Sequence, residues 1–393
     1  MLKILYAGSP APAATTLRLL LEKCSQDQNA TNENGSQDQN AAASGDCSQD
    51  QKGDASQNGS QAQNGGGWQI AGVLTNPPSA KGRHKELVPT DVGLLAQERG
   101  IPVFCPQKLD AAAREQIAAQ GFDALVCFAY GKIFGPKFLS LFKAGGVNVH
   151  PSLLPKYRGA TPVPAAILNC DGQTGVTVQT LALGMDEGEI LAQEIVALDG
   201  TETTDSLLDK SAQIAAALLQ SLLDKAAQNP GAEILKKGKA QEGEPSYTKT
   251  ISKEDALINW NDSAKNIAAA VRAYTSEPGS WTRIGGESGE TLKILKAAPL
   301  GLEADNGSQD GQAAGANQNG PAGQASANGQ LAASSGQPTV PGTVTAFDKK
   351  RGILVQCGDG LLCVTELQRQ QKKAMGYKDF MNGARDFVGT RLF

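Results

Sequence analysis

Two long segments of the sequence consist almost entirely of small and polar residues, and they limit which parts of the chain can build a core. The first covers residues 25–66 and repeats the unit SQDQ, and the second covers residues 301–338 and contains the related GSQDG. Neither has apolar periodicity, so neither can bury enough surface to offset the entropy lost on ordering its backbone. We interpret both as solvated insertions in surface loops rather than as interaction tails. Removing these 42 and 38 residues from 393 leaves 313 for the folded domains.

Short apolar runs alternate with helix-like stretches through the first part of the chain. The predicted strands are LKILYAG, WQIAGVLTN, IPVFCP, DALVCFAYG, GGVNVHPS, TGVTVQTLA and EILAQEIVAL. The predicted helices cover residues 13–21, 90–100, 111–120, 164–169 and 203–225. Strands that alternate with helices build parallel sheets covered on both faces. Residues 1–228 are therefore predicted to form an α/β domain with a Rossmann-like, doubly wound and mainly parallel sheet.

A different pattern follows this domain. Residues 229–246 are rich in Gly, Lys and Glu and are predicted to be a linker. Beyond them come a predicted helix over 263–274 and the short strands TLKILKAAPL, PGTVTAFD, GILVQCGDG and LLCVTELQ. Short strands separated by turn residues favour a small barrel. We therefore expect a C-terminal OB-like β-barrel domain over residues 247–393, with the second insertion inside it.

Composition excludes several classes of protein. No run approaches the roughly 18 consecutive apolar residues of a membrane-spanning helix, so no membrane association is expected. The seven cysteines are scattered and odd in number, without a CxxC pair, which indicates a reducing cytoplasm and no disulfide framework. With only two histidines and no paired cysteines, no metal site is expected. The opening Gly8-Ser9-Pro10 lacks the GxGxxG pattern, so we discard a nicotinamide dehydrogenase.

The net charge of −4 conceals a mildly basic remainder. The two polar segments carry net charges of −5 and −3, so the other residues together carry +4. Most of this excess comes late, because residues 247–300 and 339–393 hold 16 Lys and Arg against 11 Asp and Glu. A basic C-terminal part is compatible with an RNA partner, although the charge alone does not establish one.

The fifth predicted strand ends in a pair of polar residues. Ligands of parallel sheets bind at the carboxyl ends of the strands, and alternate residues of a strand share a face. Asn148 and His150 are therefore expected to project to the same side. An amide that hydrogen-bonds an oxyanion beside an imidazole that assists proton movement suits acyl transfer. The pair alone leaves open a histidine that only caps a turn.

A carboxylate follows 36 residues after His150, in the glycine-flanked stretch LALGMDEGEIL. Asp186 lies there between two predicted strands. One interpretation is an ordinary turn aspartate, which is common beside glycine. The other is a carboxylate that approaches His150 and raises the proton affinity of its ring. The spacing does not decide between them.

These motifs resemble those of the methionyl-tRNA formyltransferase family, within the folate-dependent formyltransferases. The matching stretches are NVHPSLLPKYRGATP, TGVTVQTLALGMDEGEIL, FAYGKIFG and ILYAGSP. The pattern NxHxSLLPxYRG with a downstream MDxG is specific for folate-dependent formyl transfer but does not name the acceptor. For the acceptor, the resemblance continues through TNPPSAKGRHKELVPTDV, PSYTKTISKEDALINWNDSA, VRAYTSEPGSWT and LQRQQKKAMGYKDFMNG. It covers nearly the whole chain except the two insertions.

The resemblance implies a set of site residues and a co-substrate. The catalytic trio is Asn148, His150 and Asp186, and the co-substrate is 10-formyltetrahydrofolate. Asn148 would bind the oxyanion, aided by protonated His150, while Asp186 would polarise the imidazole and help a water carry the proton. Either His150 or Asp186 could accept that proton first. The implied folate-binding residues are Ser152, Leu153, Leu154 and Pro155, with Phe128, Tyr130 and Gly131 as a further wall unless these three are ordinary sheet core.

The resemblance also implies initiator methionyl-tRNA as the acceptor, so that N-formylmethionyl-tRNA for translation initiation is the product. By similarity, the basic loop engages the acceptor stem through Lys81, Arg83, His84 and Lys85, although a basic loop alone is usually only solvated. Two alternatives remain. One is a related formyltransferase that acts on a nucleotide-sugar amine or on glycinamide ribonucleotide, and the more remote one is a non-catalytic RNA-binding module. We expect a monomer.

Overall fold

A computed structural model gives the structure of the protein and describes residues 1–37, 67–81, 86–275, 277–286, 288–301 and 339–393. The chain divides into two compact units, Met1–Ile251 and Ser252–Phe393. The sequence placed a linker over 229–246 and the second domain from residue 247. The structure differs because the chain up to Ile251 packs with the first unit, where Leu235 is buried in the core.

The first unit is built on a seven-stranded sheet with two short strand pairs beside it. Its strands are β1 (Leu2–Gly8), β2 (Trp68–Leu74), β3 (Ser79–Lys81), β4 (Glu86–Val88), β5 (Val103–Phe104), β6 (Ala124–Phe128), β7 (Gly145–His150), β8 (Arg158–Gly159), β9 (Gln173–Thr180), β10 (Ile190–Ala197) and β11 (Tyr247–Thr248). The order in the large sheet is β10-β9-β7-β6-β1-β2-β5. The five strands from β7 to β5 are parallel, and β9 is antiparallel to both of its neighbours. This order confirms the predicted mainly parallel sheet.

The described residues of the first unit form six helices: α1 (Ala11–Gln37), α2 (Asp91–Glu98), α3 (Ala111–Ala118), α4 (Pro136–Leu139), α5 (Pro162–Leu168) and α6 (Thr204–Gln228). Helix α1 is longer than predicted, because it continues past Leu21 through the first 13 residues of the supposed insertion. A helix that is already nucleated gains one hydrogen bond for each residue added, so even a polar stretch can extend it. The rest of that insertion, 38–66, and residues 302–338 of the second lie outside the described residues.

The sheet of the first unit is buried on both faces. Successive residues of β1 alternate between two core clusters, with Ile4 and Tyr6 in one and Leu5 and Ala7 in the other. All five residues of β6 are buried. This burial explains why these strands appear in the sequence as continuous apolar runs rather than as alternating patterns.

The second unit is an antiparallel sheet with helices packed on it. Its elements are α7 (Ala264–Ala273), β12 (Trp281–Ile284), β13 (Glu290–Pro299), β14 (Val344–Asp348), β15 (Gly352–Gln356), β16 (Leu361–Arg369), β17 (Met375–Gly376) and α8 (Tyr377–Gly383), with short 3-10 helices at Glu254–Ala256 and Arg385–Phe387. The sheet order is β12-β13-β16-β15-β14, and β17 pairs with β16.

The C-terminal residues connect the two edges of this sheet. Phe393 exchanges two backbone hydrogen bonds with Arg283 on β12, at 3.0 and 3.1 Å. Three residues earlier, Thr390 accepts the backbone N–H of Val344 on β14 at 2.9 Å. The segment therefore covers both edge strands and curls the sheet toward closure, which confirms the predicted OB-like class for this unit.

Two kinds of feature are absent from the described residues. None of their helices combines the length and the apolar character that crossing a membrane requires. No group of three or more His, Cys, Asp and Glu side chains in the described ranges is arranged to hold a metal ion.

Candidate active site

The predicted amide–imidazole pair lies at the carboxyl end of β7. Asn148 and His150 are alternate residues of that strand and project from the same face. Strand β9 runs beside them in the opposite direction, with Gln179 opposite Asn148 and Thr177 opposite His150. The register of these two strands thus places a second amide side chain next to the predicted pair.

Asp186 is brought to this pair by the loop between β9 and β10. His150 Nδ1 lies 3.5 Å from Asp186 Oδ2, and Asn148 Nδ2 lies 3.4 Å from Asp186 Oδ1. His150 is buried and the Asp186 side chain is 13% exposed. The three residues that the sequence predicts as a catalytic trio therefore form one cluster.

Further donors surround the Asp186 carboxylate. Oδ2 accepts the Gly159 backbone N–H at 2.8 Å, and Oδ1 accepts the Gln179 amide at 2.9 Å. Gly159 has a φ of +109°, and a Cβ atom there would collide with the Thr248 carbonyl oxygen on β11. Glycine is therefore required where β8 passes β11. The hydrogen bonds offset the free-energy cost of withdrawing a charged group from water.

The two ring nitrogens of His150 face different oxygen atoms. Nε2 lies 2.8 Å from the Tyr157 carbonyl oxygen, which can only accept, so Nε2 carries a proton. In the neutral ring the lone pair of Nδ1 then faces Asp186. Because both nitrogens face protein oxygens, His150 is placed to act on Asp186. This differs from the expectation that protonated His150 also contacts the oxyanion.

Burial and charge act on the His150 pKa in opposite directions. Withdrawal of the imidazolium from water lowers the pKa below its ordinary value of 6.5, and this is the larger effect. The negative charge of Asp186 and the hydrogen bond to Tyr157 raise the pKa. The ring is therefore neutral at neutral pH, with Nδ1 free to accept a proton.

The predicted folate segment Ser152–Pro155 is tied to β9 through Thr177. The Thr177 hydroxyl donates to the Ser152 carbonyl at 2.7 Å and accepts the Leu154 N–H at 3.3 Å. Of the four residues, the first and third are buried and the second and fourth are half-buried. The segment begins two residues after His150, and its second and fourth residues are the ones with exposed surface.

The predicted folate wall is wrong for the side chains of Phe128 and Tyr130. They are 2% and 1% exposed, and the Tyr130 ring stacks on Phe134 with 5.4 Å between centroids. A fully buried ring cannot line a pocket, so both belong to the sheet core. Ala129 and Gly131 are exposed, with φ values of +53° and +81°. Within Phe128–Gly131, these two small residues are therefore the ones with exposed surface.

The predicted tRNA loop is only partly described. Strands β3 and β4 form an antiparallel pair, with Ser79 opposite Val88, at the base of the loop. Lys81 is the last residue of β3. The other three predicted contacts, Arg83, His84 and Lys85, lie outside the described residues. The role of this loop stays a prediction.

Sequence reasoning missed several residues that hold the cluster together. Gln179 had a usable signal, because a large polar side chain in a continuously buried strand needs partners. Tyr157 contributes its carbonyl oxygen to His150, and its own N–H donates to the Ser246 hydroxyl at 2.8 Å. Backbone contacts of this kind carry no side-chain signature, and Ser246 comes from the predicted linker.

The cluster offers two chemical functions. The Asn148 amide nitrogen has two hydrogens, of which one is directed at Asp186 and the other can bind a developing oxyanion. The Asp186–His150 pair can accept a proton and pass it on. Together these suit acyl transfer to an amine.

Both parts of the chain match one protein family. The formyl transferase domain matches residues 43–223, and the formyl transferase C-terminal domain matches residues 250–385. The two matches cover more than half of the chain. The chain therefore belongs to the formyl transferase family, and the resemblance stated from the motifs is confirmed.

Individual relatives give a narrower comparison. A protein from Treponema denticola named methionyl-tRNA formyltransferase is 39% identical over 330 residues, which are 82% of this chain and 91% of the relative. A protein of the same name from Treponema pallidum is 38% identical over 338 residues, 82% of this chain and 92% of the relative. Among solved structures, a sugar N-formyltransferase from a Shewanella species has a TM-score of 0.50 and 15% identity, covering 76% of this chain and 99% of that one. This last likeness concerns the fold alone.

The state of His150 can be tested by nuclear magnetic resonance, since the chain has only two histidines. The His150 pKa should lie below 6.5, and the neutral ring should carry its proton on Nε2. Asp186→Asn should lower the pKa further, because it removes the charge that raises it. Below about pH 6.5, His150 binds a proton in the unfolded chain but not in the folded protein, because folding lowers its pKa. The free energy of unfolding should therefore fall on acidification, by at most about 1.4 kcal/mol per pH unit for this group. A pKa above 6.5, or a proton on Nδ1 alone, would contradict this account.

Proposed function

We propose that the protein transfers the formyl group of 10-formyltetrahydrofolate to the α-amine of methionine on initiator methionyl-tRNA, in the cytoplasm. The product, N-formylmethionyl-tRNA, would serve translation initiation. The observation that carries the proposal is the convergence of Asn148, His150 and Asp186 at the end of β7. The acceptor is supported by relatives named methionyl-tRNA formyltransferase, which this chain matches over more than nine-tenths of their length.

The reaction forms one carbon–nitrogen bond and breaks another. The methionine amine attacks the formyl carbon, and the carbonyl oxygen becomes the oxyanion of a tetrahedral intermediate. The bond between that carbon and the folate nitrogen then breaks. The amine loses one proton, and the departing folate nitrogen gains one. No covalent bond to the protein is needed.

The cluster supplies what this reaction requires. The free hydrogen of the Asn148 amide binds the oxyanion, which stabilises charge only as it develops. Asp186 receives the proton from the amine through a water and passes it to the leaving nitrogen. His150 faces Asp186 with Nδ1, which is placed to accept the proton that Asp186 receives. The half-buried residues of Ser152–Pro155 are the candidates for contacting the folate ring.

The same cluster bears on the two alternatives that the sequence left open. A related enzyme that formylates a nucleotide-sugar amine or glycinamide ribonucleotide would use the same trio, and only the acceptor separates it from our proposal. A non-catalytic RNA-binding module has no need for an assembled Asn148–His150–Asp186 cluster. The assembled geometry therefore supports an enzyme.

The trio should be essential for turnover. Asn148→Ala, His150→Ala and Asp186→Asn should each lower kcat for methionyl-tRNA by about 100-fold or more, as expected for oxyanion and acid–base groups. Folate binding, measured by calorimetry, should be retained, because none of the three is proposed to hold the folate ring.

Glu194→Gln is a matched control, since Glu194 is exposed on β10 and outside the cluster. It should stay within about twofold of the wild type, as is usual for surface substitutions. Near-normal turnover in Asp186→Asn would remove that carboxylate from the mechanism.

An exposed basic turn in the second unit is available to an RNA backbone. Lys349, Lys350 and Arg351 lie between β14 and β15 and are all exposed. Asp348 accepts the backbone N–H groups of Lys350 and Arg351 at 2.7 and 3.1 Å, and the Tyr377 hydroxyl contacts the carbonyls of Lys349 and Lys350 at 3.2 and 3.1 Å. The backbone of the turn is thus held while its cationic side chains remain in solvent.

A tRNA acceptor makes a specific prediction about salt. The affinity for methionyl-tRNA should fall steeply as salt rises, because each phosphate contact releases counterions. Arg83→Ala should weaken transfer to tRNA and reduce the slope of log affinity against log salt by about 1, if the residue contacts one phosphate. Folate binding should not change, because the loop is proposed to contact only the tRNA.

Arg99→Ala serves as the control, because Arg99 is an exposed arginine of the same unit at the end of α2. For Arg99→Ala, the slope of log affinity for tRNA against log salt should match that of the wild type. A weak salt dependence, together with indifference to Arg83→Ala, would contradict the proposed tRNA contact.

A further inference from the structure

The segment predicted as a linker, residues 229–246, lies against the loop that joins β9 to β10. Lys239 and Ile190 exchange two backbone hydrogen bonds, at 2.7 and 2.9 Å, where β10 begins. The Gly238 N–H also donates to the Glu189 carboxylate at 2.8 Å. These contacts bring the residues that follow Lys239 alongside the loop.

Gln241 uses both ends of its side-chain amide there. Its Nε2 donates to the backbone carbonyl oxygens of Asp186 and Gly188, each at 2.8 Å. Its Oε1 accepts from Arg158, with Nη2 at 2.8 Å and Nε at 3.1 Å. The two hydrogens and the two lone pairs of the amide are therefore all engaged.

The backbone at Asp186 is in a conformation that requires such support. Its φ is +54°, in the left-handed region that is strained for residues other than glycine, although Asp tolerates it better than most. The neighbouring Met185 and Glu187 are exposed, so side-chain packing contributes little. Hydrogen bonds to the carbonyls of Asp186 and Gly188 orient the peptide planes at this turn and so set the direction of the carboxylate.

Gln241 also reaches the other strand that contacts the carboxylate. Arg158 precedes Gly159, whose N–H donates to Asp186 Oδ2 at 2.8 Å. The Arg158 guanidinium is additionally 3.3 Å from Glu187 and 3.1 Å from the Tyr247 hydroxyl. Because Arg158 has these other partners, the Gln241 Oε1 atom is only one of several contacts that hold the guanidinium. The Gln241 Nε2 atom, in contrast, connects residues 229–246 directly to the loop that carries Asp186.

We propose that Gln241 is a positioning residue for formyl transfer, and that it holds the Asp186 loop so that the carboxylate faces Asn148 and His150. The proposal rests on the proposed function. It gives a role in the reaction to a residue that does not contact substrate and that lies outside the family motifs around the trio.

Two substitutions of Gln241 distinguish the contribution of its amide nitrogen from that of its amide oxygen. Gln241→Glu keeps an acceptor for Arg158 but replaces the nitrogen donor with an oxygen that faces two carbonyl oxygens. Gln241→Met has similar length and removes both functions. Gln220→Ala is the control, because Gln220 is another glutamine of the first unit that donates to a backbone carbonyl, that of Leu19 at 3.3 Å.

Both Gln241 variants should lower kcat by about tenfold or more, because a misplacement of about 1 Å in a catalytic group costs up to 100-fold. The KM for 10-formyltetrahydrofolate should change little. The His150 pKa, followed by nuclear magnetic resonance, should fall in both variants as the Asp186 charge moves away. Gln220→Ala should leave kcat and the His150 pKa unchanged, even if its thermal midpoint drops.

A Gln241→Glu variant with wild-type kcat and an unchanged His150 pKa would overturn the proposal, because Arg158 would then be the only contact that matters. A change in thermal midpoint alone would also overturn it, since the role would be structural. If the wild type transfers no formyl group, the proposed function fails. The His150 titration then still tests whether Gln241 positions Asp186.

Discussion

The cost of holding the Asp186 carboxylate away from water is the constraint on which the site depends. A charged group is withdrawn from solvent at acceptable cost only where donors replace the water it loses. The donors here are the Gly159 N–H, the amides of Gln179 and Asn148, and the ring of His150 when it is protonated. They come from β8, β9 and β7, so the carboxylate is compensated only when all three strands are in place.

The sheet of the first unit meets this requirement by reversing one strand. The strands up to β7 are parallel, and β9 returns beside β7 in the opposite direction. That register sets Gln179 against Asn148, and the loop after β9 then carries Asp186 back over both. If β9 were parallel to β7, the loop after β9 would begin at the same edge of the sheet as the end of β7. Gln179, near the end of β9, would then not lie opposite Asn148 in an antiparallel pair.

Local signals in the sequence were sufficient for the parallel sheet and for placing Asn148 and His150 on one face of a strand end, whereas Asp186 was assigned only through the family resemblance. Continuous apolar runs such as DALVCFAYG identify buried strands, and the position of Asn148 and His150 follows from strand periodicity alone. The predictions that failed concern residues whose role depends on tertiary contacts. Tyr130 lies just beyond the end of an apolar strand whether it lines a pocket or fills the core, and only packing decides. Gln241 lies in a polar, glycine-containing stretch that is typical of a linker, and its contacts with the Asp186 loop leave no trace in periodicity.

The cluster is proposed to formylate the methionine amine carried by methionyl-tRNA. The most direct measurement gives purified protein 10-formyltetrahydrofolate and one of three acceptors: charged initiator tRNA, glycinamide ribonucleotide or a nucleotide-sugar amine. We predict rapid formylation of the tRNA-bound methionine and little or no transfer to the two small acceptors. Efficient transfer to a small acceptor, with the tRNA left unformylated, would contradict the account and favour the related enzyme that shares the trio.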